Sequence, residues 1–99
     1  MTGQPPESSV TGAVTVRYWA AAKSAAGVDA DVVEVAGPTT LAAVLGEVLR
    51  RHDGSPRFEG VVGVCSVLLG DRPVGAGDPE EITVLPGDVL QLLPPFAGG

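Results

Sequence analysis

The chain contains one cysteine and one histidine, and this scarcity excludes several kinds of site. Cys65 has no second cysteine to pair with, so an intramolecular disulfide is excluded. It lies in the apolar run 61–69, which favours a buried structural thiol over a reactive one. His52 has no neighbouring ligand set, which argues against a metal site. Cys65 and His52 also fall in different predicted elements, so the sequence offers no nucleophile–base pair.

Aromatic residues and basic charge are also scarce. One tryptophan, one tyrosine and two phenylalanines leave valine, leucine and alanine to build the core. Six basic residues against twelve acidic ones give a net charge of −6, which argues against nucleic acid and fits a partner with a basic face. No apolar run reaches about 18 residues, and the N-terminus lacks a basic-then-apolar signal pattern. We therefore expect a cytoplasmic protein without membrane contact.

The composition indicates one small globular domain. The 99 residues are 44% hydrophobic, with a mean hydropathy of +0.29. Residues 1–12 are polar, rich in proline, glycine and serine, and without periodicity, so we predict a disordered extension there. Residues 13–99 then form the domain.

Alternation of apolar and polar residues predicts two strands at the start of the domain. Val14, Val16 and Tyr18 alternate with polar or exposed positions over 13–20, which predicts a first strand with these three facing the core. Residues 21–30 are predicted to be a loop or a short helical turn. Residues 31–35 are predicted to form a second strand, antiparallel to the first.

One long helix is predicted to begin at Thr40, whose hydroxyl would cap its first turn. Arg50 and Arg51 would lie in the last turn, where offsetting the helix dipole is a better interpretation than a functional role. The apolar stripe consists of Leu41, Val44, Leu45, Val48 and Leu49.

The second half is predicted to be rich in strands. We expect a loop over 53–60, a central third strand over 63–69 and a turn over 70–73. A short strand over 82–85 leads into Pro86-Gly87, which predicts a type II turn, and residues 89–93 form the last strand. Two strands, a helix and three strand segments indicate an α+β fold with the helix on one face of the sheet.

The last residues are the most informative stretch. Pro94 and Pro95 end the strand ladder, and Gly98 and Gly99 have no side chain that would block a narrow channel. Such a tip suits threading into a partner, where its carboxylate would need activation, for example as an acyl-adenylate. The alternative is a disordered end without a function.

These residues carry a resemblance to a known family. Gly87-Asp88, the apolar strand and the segment 93–99 resemble the end of the molybdopterin synthase small subunit, a ubiquitin-like sulfur carrier. The thiamine-pathway sulfur carrier is a close cousin, and the resemblance covers roughly residues 13–99. It implies a β-grasp (ubiquitin-like) fold, with a mixed sheet of four to five strands and one main helix packed across it.

The resemblance also implies a function and a set of partners. Gly99 would be adenylated by an E1-like activating enzyme that uses ATP, and then converted to a thiocarboxylate by a persulfide sulfur donor. The thiocarboxylate would donate sulfur to a pterin precursor inside the large subunit. This chain would bind no cofactor itself and would be a sulfur-donating subunit of a sulfurtransferase complex, without an independent active site.

A docking surface is expected beside the tip. Trp19 falls on the solvated face of the first strand, and aromatic residues at this point contact the partner in molybdopterin synthase small subunits. The alternative is that Trp19 is buried under the 21–30 segment. The expected partner-binding residues are Trp19, Leu93, Pro94, Pro95, Phe96 and Ala97.

Three other functions stay open at this point. The chain could carry sulfur to another acceptor, such as thiazole, cysteine or a thiolated natural product. It could be a ubiquitin-like modifier whose Gly99 forms isopeptide bonds with lysines. It could also be a plain β-grasp interaction module with an inert tail.

Overall fold

The structure, a computed structural model, describes residues 12–75 and 77–95. Two sheets and three α-helices make up this part of the chain. The strands are β1 (Gly12–Tyr18), β2 (Ala30–Val35), β3 (Thr39–Thr40), β4 (Ser66–Leu69), β5 (Arg72–Pro73), β6 (Thr83–Val84) and β7 (Val89–Leu93). The helices are α1 (Ala20–Ala26), α2 (Leu41–Arg51) and α3 (Pro56–Val64), with a 3₁₀ turn at Pro79–Glu81.

The main sheet has the strand order β2-β1-β7-β4-β5, with the last strand of the chain at its centre. β1 and β7 run parallel, with Val16 opposite Leu90, while β1–β2, β4–β7 and β4–β5 are antiparallel pairs. β3 and β6 form a separate two-stranded sheet. This is the β-grasp arrangement, so the predicted α+β fold class is confirmed.

The core lies on one face of the main sheet. Val14, Val16 and Tyr18 of β1 and Leu90 and Leu92 of β7 are buried, because alternate residues of a strand point to the same side. The predicted stripe of α2 packs on this face, with Leu41, Val44 and Val48 buried and Leu45 and Leu49 partly buried. The predicted strand faces and the helix stripe are therefore confirmed.

Helix α2 begins and ends as the sequence predicts. Thr40 Oγ1 accepts a hydrogen bond of 3.1 Å from the backbone N–H of Ala43. In the last turn, Arg50 and Arg51 both donate to Glu47, whose pKa these hydrogen bonds lower to about 2. Arg51 Nη1 also donates to the backbone oxygen of Val32 at 2.7 Å. The two arginines thus have partners within the domain.

Helix α3 corrects the sequence prediction. Residues 53–60 were expected to be a loop and 63–69 a strand, but Pro56–Val64 is helical and β4 begins only at Ser66. Ser55 Oγ caps the helix by accepting from the backbone N–H of Phe58 at 3.2 Å, and Pro56 occupies the first turn. Phe58 is fully buried. The packing of this ring outweighs the β preference of the valines that follow.

The shorter β4 changes details of the prediction. The strand lies inside the main sheet, between β7 and the two-residue edge strand β5, while the middle position belongs to β7. Cys65 caps the C-terminal end of α3 instead of lying within a strand. Its thiol is half-buried, and burial raises its pKa, which disfavours the reactive thiolate.

The type II turn predicted at Pro86-Gly87, before the last strand, is confirmed. The backbone N–H of Asp88 donates to the oxygen of Leu85 at 3.0 Å, and Gly87 at the third turn position has a φ of 95°. A type II turn requires a positive φ there, which glycine adopts without strain.

The predicted extension 1–12 lies outside the described residues, except for Gly12, which is the first residue of β1. Among the helices that the structure describes, none is long and apolar enough to cross a membrane.

Candidate functional site

The second face of the main sheet, which we call the open face, carries the candidate docking residues. Thr15 and Arg17 of β1 and Val89, Gln91 and Leu93 of β7 alternate with the buried positions of their strands. They are therefore directed away from the core, and none of them is buried. Parallel pairing places Arg17 directly beside Gln91.

The C-terminal strand ends beside Trp19. Tyr18 pairs with Leu92, and the backbone N–H of Trp19 donates to the oxygen of Leu92 at 3.3 Å. The structure thus brings Trp19 and Leu93 to the same end of two neighbouring strands, as the sequence predicted. Pro94 is half-buried and Pro95 is exposed. Neither proline can donate a backbone hydrogen bond, so the ladder ends here.

The tip itself lies outside the described residues. Phe96, Ala97, Gly98 and Gly99 were predicted to be partner-binding or reactive residues, and they stay predictions. What the structure describes is the base of the tip and the direction of the strand that leads to it.

Trp19 is 40% exposed and is not buried under the segment that follows it. That segment forms helix α1, with Trp19 as its N-cap residue. The indole Nε1–H donates to Gln91 Oε1 at 3.0 Å, and the Arg17 guanidinium carbon lies 4.9 Å from the indole ring centroid. Gln91 Nε2 in turn donates to the backbone oxygen of Gly70 at 2.7 Å.

Sequence reasoning identified Trp19 but missed the two side chains that hold it. Neither Gln91 nor Arg17 was singled out from the sequence. The β-grasp fold that the resemblance implied does place the first and last strands side by side. Their register, which decides that these residues meet, is not readable from one sequence.

The backbone next to Trp19 is strained. Ala20 has a φ of 52°, in the left-handed region that residues other than glycine rarely adopt. This conformation turns the chain from β1 into α1 directly after Trp19. Such strain is often found at functional sites, where the surrounding structure maintains it.

A second polar cluster lies on the core side and ties the elements together. Tyr18 donates its hydroxyl to Asp31 Oδ2 at 2.6 Å, and the same oxygen is 2.7 Å from His52 Nε2. Burial raises the pKa of the Asp31 carboxyl, but its hydrogen bonds with Tyr18 and His52 and the nearby charge of Arg51 outweigh burial, so its pKa is lowered overall. Burial and the bond to Asp31 raise the pKa of Tyr18.

Aromatic packing accompanies this cluster. The Phe58 ring lies 5.4 Å from the Tyr18 ring, edge to face, and 4.4 Å from the His52 ring. All these partners are internal to the domain, so we assign the cluster a role in joining β1, β2, α2 and α3 and not a role in chemistry.

Comparison with known proteins gives a consistent result. Residues 16–99 match the model described as the ThiS family. No curated protein matches the chain.

Solved structures share the fold over most of the chain. The structure of the modifier protein SAMP1 from Haloferax volcanii is 26% identical, with a TM-score of 0.70, covering 89% of this chain and 100% of that one. A complex of subunits 1 and 2 of molybdopterin-converting factor from Helicobacter pylori is 25% identical, with a TM-score of 0.60, covering 88% and 99%. A putative molybdopterin converting factor subunit 1 from Pyrococcus furiosus is 22% identical, with a TM-score of 0.68, covering 86% and 99%, and it supports the fold alone.

Proposed function

The chain belongs to the ThiS family of ubiquitin-like sulfur carriers, and on that basis we propose that it is the small subunit of a molybdopterin synthase. In this proposal residues 13–99 are the carrier domain, and Gly98 and Gly99 are its reactive tail. Gly99 is adenylated, converted to a thiocarboxylate, and donates sulfur to a pterin precursor in molybdenum cofactor biosynthesis.

The observation that carries the proposal is the position of β7. It is the central strand, bonded to β1 on one side and β4 on the other, so the base of the tail is held by the whole sheet. Pro94 and Pro95 then stop further pairing and stiffen the exit. From Pro95 to Gly99 an extended chain reaches roughly 15–18 Å, enough to place a carboxylate deep in a partner.

The chemistry divides between this chain and its partners. The activating enzyme joins the Gly99 carboxylate to AMP with release of pyrophosphate from ATP. The terminal sulfur of a persulfide donor then displaces AMP and forms an acyl disulfide with Gly99. A second thiol of the donor system cleaves that S–S bond, which leaves the Gly99 thiocarboxylate and a disulfide on the donor. This chain supplies the carboxylate, the slim tail and the docking surface, while the partners supply the catalytic groups.

The open face is the proposed contact for the large subunit. Its exposed Trp19 lies beside the base of the tail, and the tail alone buries too little area for stable binding. The Helicobacter pylori structure, a complex of two subunits of molybdopterin-converting factor, supports a large-subunit partner. Trp19, Leu93, Pro94, Pro95, Phe96 and Ala97 are the proposed partner-binding residues.

The test is reconstitution followed by intact-mass measurement. The full chain is incubated with an E1-like activating enzyme, ATP and a persulfide donor, and then with a large subunit and pterin precursor. We expect one carboxyl oxygen to be replaced by sulfur, and that sulfur to be lost again as molybdopterin forms. A chain lacking Gly99 is the control, and it should support no ATP–pyrophosphate exchange while melting normally. Exchange at the full rate by that control would contradict the assignment of Gly99.

A second candidate is a protein modifier, favoured by the likeness to SAMP1 from Haloferax volcanii. In that function Gly99 would form isopeptide bonds with lysines of other proteins. The same mass measurement separates the two, because a conjugate gains the mass of a whole protein and a carrier gains only the difference between sulfur and oxygen.

A further inference from the structure

We propose that Gln91 and Arg17 are positioning residues that hold the Trp19 indole in place as a preformed anchor for the large subunit. This inference rests on the proposed function, because it names the residue of the open face that would anchor the partner. It is carried by contacts among side chains of the open face.

Gln91 uses both ends of its amide. Its oxygen accepts from the indole Nε1–H at 3.0 Å, and its nitrogen donates to the backbone oxygen of Gly70 at 2.7 Å. Gly70 begins the turn between β4 and β5, so the amide links the indole to the far side of β7. A flipped amide would oppose two donors at the indole and two acceptors at Gly70, so only one orientation satisfies both bonds.

Arg17 restrains the indole from a second direction. Its guanidinium carbon lies 4.9 Å from the ring centroid, within the range of a cation–π contact. Arg17 and Gln91 are directly paired across β1 and β7, so the sheet sets the distance between the two supports.

The main chain of Trp19 is fixed as well. Its N–H donates to Leu92, its carbonyl oxygen accepts from Ala22 at 2.9 Å, and Ala20 follows in a strained conformation. Backbone and ring are therefore both fixed while 40% of the residue stays exposed. The Gln91 amide and the Arg17 guanidinium thus restrain an indole ring that its exposure alone would leave mobile.

The functional consequence is preorganisation. A side chain that is already ordered loses less entropy when a partner covers it. Immobilising one rotamer-rich side chain on binding lowers the affinity by about threefold to tenfold. Loss of the Gln91 amide should therefore weaken binding by about that factor, and the whole effect should act through Trp19.

The first measurement uses the protein alone. Trp19 is the only tryptophan, so fluorescence anisotropy decay and the indole N–H resonance both report on this ring. We expect Gln91→Leu to increase ring motion and the exchange of the indole proton with water. Arg17→Met should increase ring motion independently, which covers the case in which one variant folds poorly.

Thr15→Val, on the same face, is the matched control and should change neither signal. An indole as rigid in both test variants as in the wild type would overturn the positioning role, whatever the partner does.

The second measurement is a double-mutant cycle with the large subunit. Gln91→Leu should weaken binding about threefold to tenfold in the wild-type background and not at all in Trp19→Ala. An equal loss in both backgrounds would mean that Gln91 contacts the partner directly, and it would overturn the inference while the proposed function stood. Absence of binding by the wild-type chain would instead reject the proposed function, and the anchor with it.

Discussion

Removing one buried hydroxyl should destabilise the domain in a way that depends on pH. Tyr18 is 2% exposed and its hydroxyl donates to Asp31 at 2.6 Å, so Tyr18→Phe keeps the ring and deletes one hydrogen bond to a charged acceptor. Such bonds contribute about 1.5–3 kcal/mol, and we expect a loss of about 2 kcal/mol at neutral pH. For a domain of this size the melting temperature should fall by about 8–16 °C.

The sign of the pH dependence follows from Asp31. Its pKa is lowered in the folded state, so its contribution is present above the unfolded value of about 3.9 and is lost as the pH falls through the folded value. Once Asp31 is protonated, the Tyr18 bond joins two neutral groups and contributes only about 1 kcal/mol. The difference in unfolding free energy between wild type and Tyr18→Phe should therefore begin to shrink below roughly pH 4, and it should reach about half once the pH is below the lowered folded pKa of Asp31.

The assay is urea unfolding followed by far-ultraviolet circular dichroism, at neutral pH and at about pH 2.5. Thr83→Val removes an exposed hydroxyl and is the matched control, with an expected change within about 0.5 kcal/mol. In an Asp31→Asn background the effect of Tyr18→Phe should fall by about half, because the Tyr18 hydroxyl then donates to a neutral acceptor. A gap that is equally wide at both pH values, or effects that simply add, would refute the reasoning.

Three further substitutions test the packing and the backbone by thermal melts. Phe58→Ala should lower the free energy of unfolding by about 3–5 kcal/mol, because the ring is fully buried. Val64, in the same helix, is 62% exposed, so Val64→Ala should change that free energy by no more than about 0.5 kcal/mol. Equal effects of the two substitutions would argue against helix α3 as described. Ala20→Gly should leave the free energy of unfolding unchanged or raise it by up to about 1 kcal/mol, because glycine adopts a positive φ without strain. The control Ala43→Gly, within α2, should lower it by roughly 0.5–1 kcal/mol, because glycine is unfavourable inside a helix. Gly46→Ala should stabilise by about 0.4–1 kcal/mol, because a Cβ there meets no atom within 4 Å; a lower melting temperature would contradict that space.

Local signals predicted much of the fold. The threonine cap and the 3.6-residue stripe of α2, the alternation of β1 and the Pro86-Gly87 turn each depend on neighbours in sequence, and each is confirmed. Helix α3 was missed because its valines prefer strands, and the tertiary contact that decides the matter is the burial of Phe58. The Ser55-Pro56 pair is a readable start signal, because serine caps a first turn and proline suits the first helical position.

In the candidate site, too, local features could be predicted and long-range contacts could not. Trp19 and the end of β7 could be predicted because strand parity and the two prolines are local features. The support from Gln91 and Arg17 could not, because it depends on the register between strands that lie about seventy residues apart in the chain. The cluster of Tyr18, Asp31 and His52 was missed because it depends on the pairing of β1 with β2 and on the packing of α2 against β2.

The central position of β7 has a mechanical consequence. A partner that grips the residues after Leu93 pulls along the axis of that strand. The hydrogen bonds to β1 and β4 lie across this axis, including Thr15 to Asp88 and Trp19 to Leu92 at opposite ends of the β1 pairing. The load is therefore applied in shear to both rows of bonds together, and it cannot open them one at a time from an edge. Withdrawal of the tail from a tight channel should leave the sheet intact.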